Sequence, residues 1–154
     1  MDIEAVLETW RVNHEVTMRL LSWCSDECMG DKPGQGKTVR GNFTHLSNVR
    51  RMWAKEKLGK TAESVVKLDR QTATRTDLVE GLTQTSKLME RLFVALQAKP
   101  GRWTLPLFLA YSVAHEENHR SQILTALRIN GHEPERSEME LWDWPNICKA
   151  LRLS

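Results

Sequence analysis

No apolar run in this 154-residue sequence approaches the length of about 20 residues that a membrane-spanning helix needs. The N-terminal segment carries acidic residues early and lacks the apolar centre of a secretory signal peptide. Cysteine is scarce too, since the chain has three, an odd number without the pattern of a disulfide-rich secreted domain. We therefore expect no membrane partner and a location in the reducing cytoplasm.

The sequence also lacks an excess of charge of one sign. It has 22 lysines and arginines against 20 aspartates and glutamates, a net charge of +2, and the basic residues are scattered among the acids. Nucleic-acid binding normally requires basic residues clustered in a patch or stripe, so we expect no nucleic-acid partner. The charged fraction of 27% and the hydrophobic fraction of 40% are ordinary for a globular protein, and the length predicts a single domain over residues 1–154.

Signals for β-strands are nearly absent, and apolar residues recur instead with the three-to-four-residue spacing of amphipathic helices. The pattern predicts four long helices, with bounds of about Ile3 to Cys28, about Val39 to Leu58, about Arg75 to Ala98, and between an N-cap at Thr104 and a C′ glycine at Gly131. The tail LWDWPNICKALRL predicts a short amphipathic segment that closes one end. We therefore expect an all-α fold, an up-down four-helix bundle with a short C-terminal tail segment.

The connection between the first two helices, DKPGQGKT at 31–38, is similar to a phosphate-binding Walker A loop whose first glycine is replaced by Asp31. A Walker A loop follows a strand and precedes a helix, whereas a helix precedes this one. We interpret it as a flexible helix–helix turn.

Two histidines stand four residues apart in HEENHR, at 115–120, inside the apolar fourth helix. On a helix this spacing places His115 and His119 on one face, where both imidazoles can reach one metal ion. The same face carries Phe108, Tyr111 and Ile123, so the pair faces inward or into a cleft. The alternative is that one or both are core histidines satisfied by hydrogen bonds.

HEENH also matches the HExxH signature of zinc peptidases, in which Glu116 would act as general base. The longer form of that signature needs a histidine where this chain has Thr125. The chain is small for a peptidase and shows no strand that could bind a peptide. A metallopeptidase is therefore the less favoured alternative.

A third ligand is available upstream, in GNFTHLSNVRRMW on the second helix. There His45 is in phase with Val49, Met52 and Trp53, which are expected to face the bundle. In a helical bundle, a ligand on one helix can meet a histidine pair on a facing helix. Three imidazoles leave coordination positions open, as in catalytic rather than structural zinc sites.

Together these two motifs resemble those of the DinB/YfiT-like family of four-helix-bundle metalloproteins. Members typically read H-xxx-(V/I)-R-xx-W on the second helix and H-xxx-H-R-x-Q-(I/L) on the fourth. This chain matches the first motif with His45, Val49, Arg50 and Trp53, and the second with His115, His119, Arg120, Gln122 and Ile123. The turn NGHEP and the final LWDW are also similar to the family's C-terminal end.

The resemblance implies a divalent metal, zinc or nickel, on His45, His115 and His119, and often a homodimer. Relatives include S-transferases that use low-molecular-weight thiols, so we expect a metal-dependent enzyme of thiol S-transferase or hydrolase type acting on a small-molecule substrate. The alternative is a non-catalytic metal-binding or stress-response bundle protein.

The candidates for a catalytic role are Glu116, Arg50 and Arg120, which adjoin the histidines in sequence. Glu116 could orient a ligand or act as a base, and the arginines could bind an anionic substrate group. The alternative for all three is a role in interhelical salt bridges. Cys24 and Cys28 are expected to be packed, reduced thiols, with any further role left open.

Overall fold

The computed structural model describes residues 2–99, 101–135 and 143–153. It contains five α-helices, α1 (Ile3–Trp23), α2 (Val39–Leu58), α3 (Arg75–Ala98), α4 (Leu105–Ile129) and α5 (Trp144–Leu153). No strand occurs in these stretches, so the all-α prediction is confirmed. The four long helices pack against one another in a bundle-like arrangement, and α5 packs against α1.

Local capping chemistry explains most of the helix bounds. The capping box predicted at α3 is present, because the Thr74 amide donates to Asp77 Oδ2 (2.8 Å) and the Asp77 amide donates to Thr74 Oγ1 (3.2 Å). At the end of α4, Gly131 has a φ of 77°, and the His132 amide donates to the Leu127 carbonyl (2.8 Å). This is the glycine-dependent termination that the sequence predicts. Thr104 is the N-cap of α4, but its side chain makes no capping hydrogen bond.

The first helix ends earlier than its apolar pattern predicts, at Trp23 rather than near Cys28. Cys24 is extended, and a short 3-10 helix over Glu27–Gly30 follows. This turn buries Cys28 and Met29 in a core cluster that also contains residues of α2. Tertiary burial therefore outweighs local helix continuation here. The thiols of Cys24 and Cys28 are free and buried.

The apolar core has two main parts, called here its halves, with a polar layer between them, and a smaller third cluster around Ala54 and Leu88. One half joins the C-terminal part of α1 to the N-terminal part of α2 and to α5, with Leu20 and Phe43 among its members. The other joins the N-terminal part of α1 to the C-terminal part of α3, with Trp10 and Phe93. The buried polar side chains between them along the helices include Asn13, Thr17, Arg50, Thr85, Ser86, Glu116, His119 and Arg120. The candidate site lies in this layer.

The second helix does not bury its whole predicted apolar face. Leu46 is fully buried, but Met52 is 52% exposed, so its predicted inward position is wrong. The predicted amphipathic tail is α5, whose Ile147 is buried against the first core half. Leu141 and Trp142, which belong to the LWDW part of the family resemblance, lie outside the described residues. Among the helices that the structure describes, none combines the length and apolar character needed to cross a membrane.

A pair of substitutions on α2 tests these positions. Leu46→Ala is expected to lower the free energy of unfolding by about 2–5 kcal/mol, because it removes buried methyl groups and leaves a cavity. Met52→Ala is expected to change it by less than about 0.5 kcal/mol, because that side chain is largely solvated. Urea denaturation followed by circular dichroism measures both, and equal losses would contradict the placement of Met52.

Candidate metal centre

Three histidines from two facing helices converge at the polar layer. His45 lies on α2, and His115 and His119 lie one turn apart on α4. One ring nitrogen from each lies within 4.8 Å of the other two. The ring centroids are 5.5 Å apart for His45 and His115, and 4.5 Å apart for His45 and His119. The predicted trio is therefore close enough to bind one metal ion.

A buried asparagine fixes the orientation of one of these rings. The Oδ1 atom of Asn42 lies 2.8 Å from His119 Nδ1, so a proton on Nδ1 is donated to it and Nε2 keeps its lone pair. The Asn42 amide group is itself held, since Nδ2 donates to the carbonyl of Thr38 (3.0 Å). Such an arrangement is typical of metal-binding histidines, whose second ring nitrogen has a fixed partner.

All three rings are held in the neutral form that metal binding requires. Burial and the neighbouring histidines and Lys37 lower the pKa of His119 to about 4. The pKa of His45 is lowered by burial and by the charges of Lys37 and His115. Burial also lowers the pKa of His115, against an opposing effect of Glu116. At neutral pH the imidazole lone pairs are free of protons.

The rings of His45 and His115 are half-buried and make no hydrogen bond within the part of the chain that the structure describes. Only His119 has a side-chain hydrogen-bond partner, Asn42. The ring nitrogens of the two half-buried histidines are not among the buried polar atoms that lack a partner, so a divalent ion or water can reach them. The donor set therefore fits a divalent ion.

The adjacent Glu116 points away from the histidines into a fully buried ion-pair network. Arg50 approaches it with two nitrogens, Nε to Oε1 at 2.5 Å and Nη2 to Oε2 at 2.8 Å. Arg120 Nη1 lies 3.5 Å from Oε2. Asn13 and Thr17 also donate to Oε2, at 2.8 and 3.2 Å. Burial would raise the pKa of Glu116, but the two arginines outweigh it and hold that pKa below its usual value.

The two arginines extend this network across the bundle. Arg50 Nη1 donates to the Leu82 carbonyl on α3 (3.1 Å), and the guanidinium lies 5.0 Å from the centroid of the Trp10 ring. Arg120 Nη2 donates to Asn13 Oδ1 on α1 (2.9 Å). The network thus joins all four long helices at the level of the histidines.

The three predicted catalytic candidates are therefore partners of one another. Arg50 forms with Glu116 the interhelical salt bridge that the sequence left open as the alternative. Arg120 instead pairs with Glu116 within α4 and reaches α1 through hydrogen bonds to Asn13 and Thr17. A catalytic role for any of them stays a prediction. The geometry favours a positioning role, because both Glu116 oxygens are engaged by protein donors. The same engagement argues against Glu116 as the free general base of a peptidase.

His14, on α1, packs beside the ion-pair network. Its Nδ1 is 3.3 Å from Arg50 Nη1, and the ring is half-buried between helices. Burial and the charge of Arg50 lower the pKa of His14 to about 3. The ring is therefore neutral at pH 7, and it supplies an acceptor for the arginine.

An aromatic wall borders the histidines on the side of the second core half. The Tyr111 ring lies 5.7 Å from the His115 ring between centroids, and Trp53 lies 5.7 Å from Tyr111. Beyond them a cavity of about 300 Å³ is lined by apolar residues, among them Trp53, Trp103 and Phe108, and by the charged residues Glu56, Lys57 and Arg102. The aromatic rings lie between this cavity and the histidines.

The sequence signals missed several residues that complete the site. Asn42 lies one turn before His45, so its position on the ligand-bearing side of α2 could have been read from helical spacing. Asn13 and Thr17 also lie one turn apart on α1. Their partners are 99 or more positions away in sequence, which no local pattern reveals.

The chain matches no protein-family model, no curated protein and no solved structure. The assignment of the site therefore depends on its geometry and chemistry alone.

Removing the buried negative charge tests the ion-pair network. Glu116→Gln is expected to lower the free energy of unfolding by about 3–5 kcal/mol, because it leaves the buried Arg50 guanidinium without a counter-charge and Arg120 with only the partly exposed Glu117. Glu117→Gln is the matched control, since Glu117 also pairs with Arg120 but is 35% exposed. Its expected loss is below about 1 kcal/mol. Urea denaturation measures both. An unchanged free energy of unfolding in Glu116→Gln would refute the proposed importance of the network.

Removing the partner of His119 tests the metal centre. Asn42→Ala is expected to weaken zinc binding by about 10- to 100-fold, because the ring loses the acceptor that orients it. Asn48→Ala is the control on the same helix, where the side chain instead bonds the backbone of Leu68 (2.9 Å). Competition with a chromogenic chelator measures the affinities. Equal zinc affinities in the two variants would count against an orienting role for Asn42.

Proposed function

We propose that this protein is a metal-dependent enzyme of the DinB/YfiT-like kind, with an up-down bundle and a divalent ion on His45, His115 and His119. The observation that carries the proposal is the convergence of three neutral imidazoles, with one ring nitrogen of each within 4.8 Å of the others, two of them without a hydrogen-bond partner among the described residues. A divalent ion is the partner that accepts three imidazole lone pairs at once.

The openness of the histidine cluster supports catalysis over a structural role. His45 and His115 are half-buried rather than enclosed, and only His119 is buried. The part of the chain that the structure describes adds no fourth ligand of cysteine, aspartate or glutamate to the cluster. Structural zinc sites are normally closed by four protein ligands, whereas catalytic sites keep a position for water or substrate. A non-catalytic metal-binding or stress-response protein is the alternative that activity assays can favour.

The reaction we propose is thiol S-transfer or hydrolysis of a small-molecule substrate. When bound, a divalent ion on three imidazoles acts as a Lewis acid and makes a thiol or a water molecule a better nucleophile near neutral pH. The chain's own residues then have positioning roles. Asn42 holds the His119 ring, and the Glu116 network holds α4 against α1 and α2. The aromatic wall near Tyr111 excludes water on one side of the substrate.

Any reacting thiol would come from a small-molecule cosubstrate. Cys24 and Cys28 are buried in the first core half, away from the aromatic wall. Burial and the neighbouring Cys28 raise the pKa of the Cys24 thiol, which disfavours its nucleophilic thiolate form. Cys148 is half-buried against the same core half. The positions of the three cysteines therefore favour a low-molecular-weight thiol over a cysteine of this chain.

Zinc and nickel are the metals that we propose, because imidazole suits both. The metallopeptidase alternative is weakened, because Glu116 is buried among donors and His45 occupies the place of a third ligand. The homodimer implied by the family resemblance stays a prediction.

Metal content tests the proposed function. The purified wild type is expected to hold about one divalent ion per chain after dialysis. His45→Ala is expected to lose it, because two imidazoles on α4 form a much weaker site than three. His132→Ala is the matched control, since that histidine is exposed and pairs with Asp31 instead. Elemental mass spectrometry gives the content.

Metal retained in His45→Ala would mean that the third ligand of the His115 and His119 pair is a residue other than His45. That result would favour the metallopeptidase alternative. A wild type that stays metal-free after incubation with zinc or nickel would overturn the proposal. In the metal-loaded wild type, turnover of a thiol with an electrophile, lost in His45→Ala and kept in His132→Ala, would favour the transferase over the non-catalytic alternative.

A further inference from the structure

The glycine-containing loop at 31–38 forms one wall of a cleft that the metal centre alone does not explain. The cleft has a volume of about 510 Å³ and lies at the N-terminal end of α2. Three of its lining side chains are cations, Lys32, Lys37 and Arg70. We call it the cationic cleft.

The lining of the cationic cleft contains positive but no negative side chains. None of the three cations forms a direct ion pair in the part of the chain that the structure describes. Asp69 interacts electrostatically with Arg70, but its carboxylate accepts hydrogen bonds from the backbone of Gln71 and Thr72, and Asp31 pairs with His132. A cleft lined by three positive side chains and no negative one attracts an anion.

The cationic cleft adjoins the histidines through both ligand-bearing helices. Its lining includes Gly41, one turn before His45 on α2, and Gln122, one turn after His119 on α4. The carbonyls of Lys37 and Thr38 accept from the Asn42 amide, at 3.4 and 3.0 Å, and Asn42 in turn contacts His119. The charge of Lys37 lowers the pKa of all three histidines, in keeping with this proximity.

The loop does not act here as a nucleotide-binding P-loop. The Gly41 amide donates to Thr38 Oγ1 (2.9 Å) and the Val39 amide donates to the Asp31 carbonyl (2.9 Å). Both amides belong to the start of α2, and the loop itself follows a 3-10 helix, whereas a P-loop follows a strand. The cationic side chains of the loop are available to an anion.

We propose that the cationic cleft binds a carboxylate or phosphate group of the substrate and so places the reactive part of that substrate at the three histidines. This inference rests on the proposed function and names its substrate class, a small molecule with an anionic end. The half-buried Lys37 contributes most, because its backbone carbonyl accepts from Asn42, the residue that contacts His119. The aromatic wall near Tyr111 receives the apolar part.

Anion binding tests the cleft independently of turnover. Inorganic phosphate and succinate are titrated separately into isotope-labelled protein as purified, at low ionic strength, and the backbone amide signals are followed by NMR. We expect saturable shifts centred on Gly36, Gly41 and Gln122 for at least one of the two anions. The titration that saturates shows whether the cleft prefers phosphate or carboxylate.

Lys37→Gln is expected to weaken this binding about fivefold to tenfold, because one charge-assisted contact is lost. Lys87→Gln is the matched control, since it removes the same charge from an exposed position on α3 outside the cleft. It should leave the affinity unchanged. Arg70→Gln is the second variant, should Lys37→Gln disturb folding as judged by circular dichroism.

Absence of saturable binding in the wild type, or equal weakening in Lys37→Gln and Lys87→Gln, would overturn the inference. The metal content of every sample separates this result from the proposed function. Metal-free protein that still binds either anion in the cleft would support the cleft while the metal proposal fails. Metal-loaded protein without such binding would contradict the proposed anion binding in the cleft and leave the metal proposal intact.

Discussion

The buried pairing of Glu116 with Arg50 and Arg120 is the constraint on which the rest of the site depends. The segment HEENHR presents side chains on two faces of α4, because successive residues on a helix point about 100° apart. His115 and His119 face α2 and the cluster with His45, while Glu116 and Arg120 face α1 and the ion-pair network. Fixing one side of α4 therefore fixes the other. The metal centre takes its geometry from that fixed side.

Burying one carboxylate and two guanidinium groups is costly, and a well-packed apolar layer of the same volume is often more stable. Here the desolvation cost is offset by complete hydrogen bonding, which includes Asn13, Thr17 and the Leu82 carbonyl. An apolar layer could pack with the helices at several axial positions relative to one another. The directional bonds of this network require one axial position of α2 and α4, which is the position that brings the imidazoles together.

The surroundings of the histidines are chemically asymmetric. One side is cationic and half-open, with Lys37 near the metal centre, and the other is aromatic, beginning at Tyr111. A molecule with an anionic end and an apolar end complements both sides at once. The neutral imidazoles lie between them, held below their ordinary pKa by burial and by the nearby positive charge. The cationic side, the aromatic side and the neutral imidazoles between them are all consistent with the proposed substrate.

Sequence patterns alone determined the four long helices and the placement of His115 and His119 on one face of α4, because both depend on short-range geometry. The meeting of His45 with that pair depends on the packing of α2 against α4. The bounds of α2 and α3 follow from capping and apolar spacing, and the His115 and His119 pair follows from one helical turn. Only the tertiary structure decided that Glu116 is a network partner, that Met52 is exposed and that α1 ends at Trp23. Each of these depends on groups that are distant in sequence, and only packing of the helices determines which of them meet.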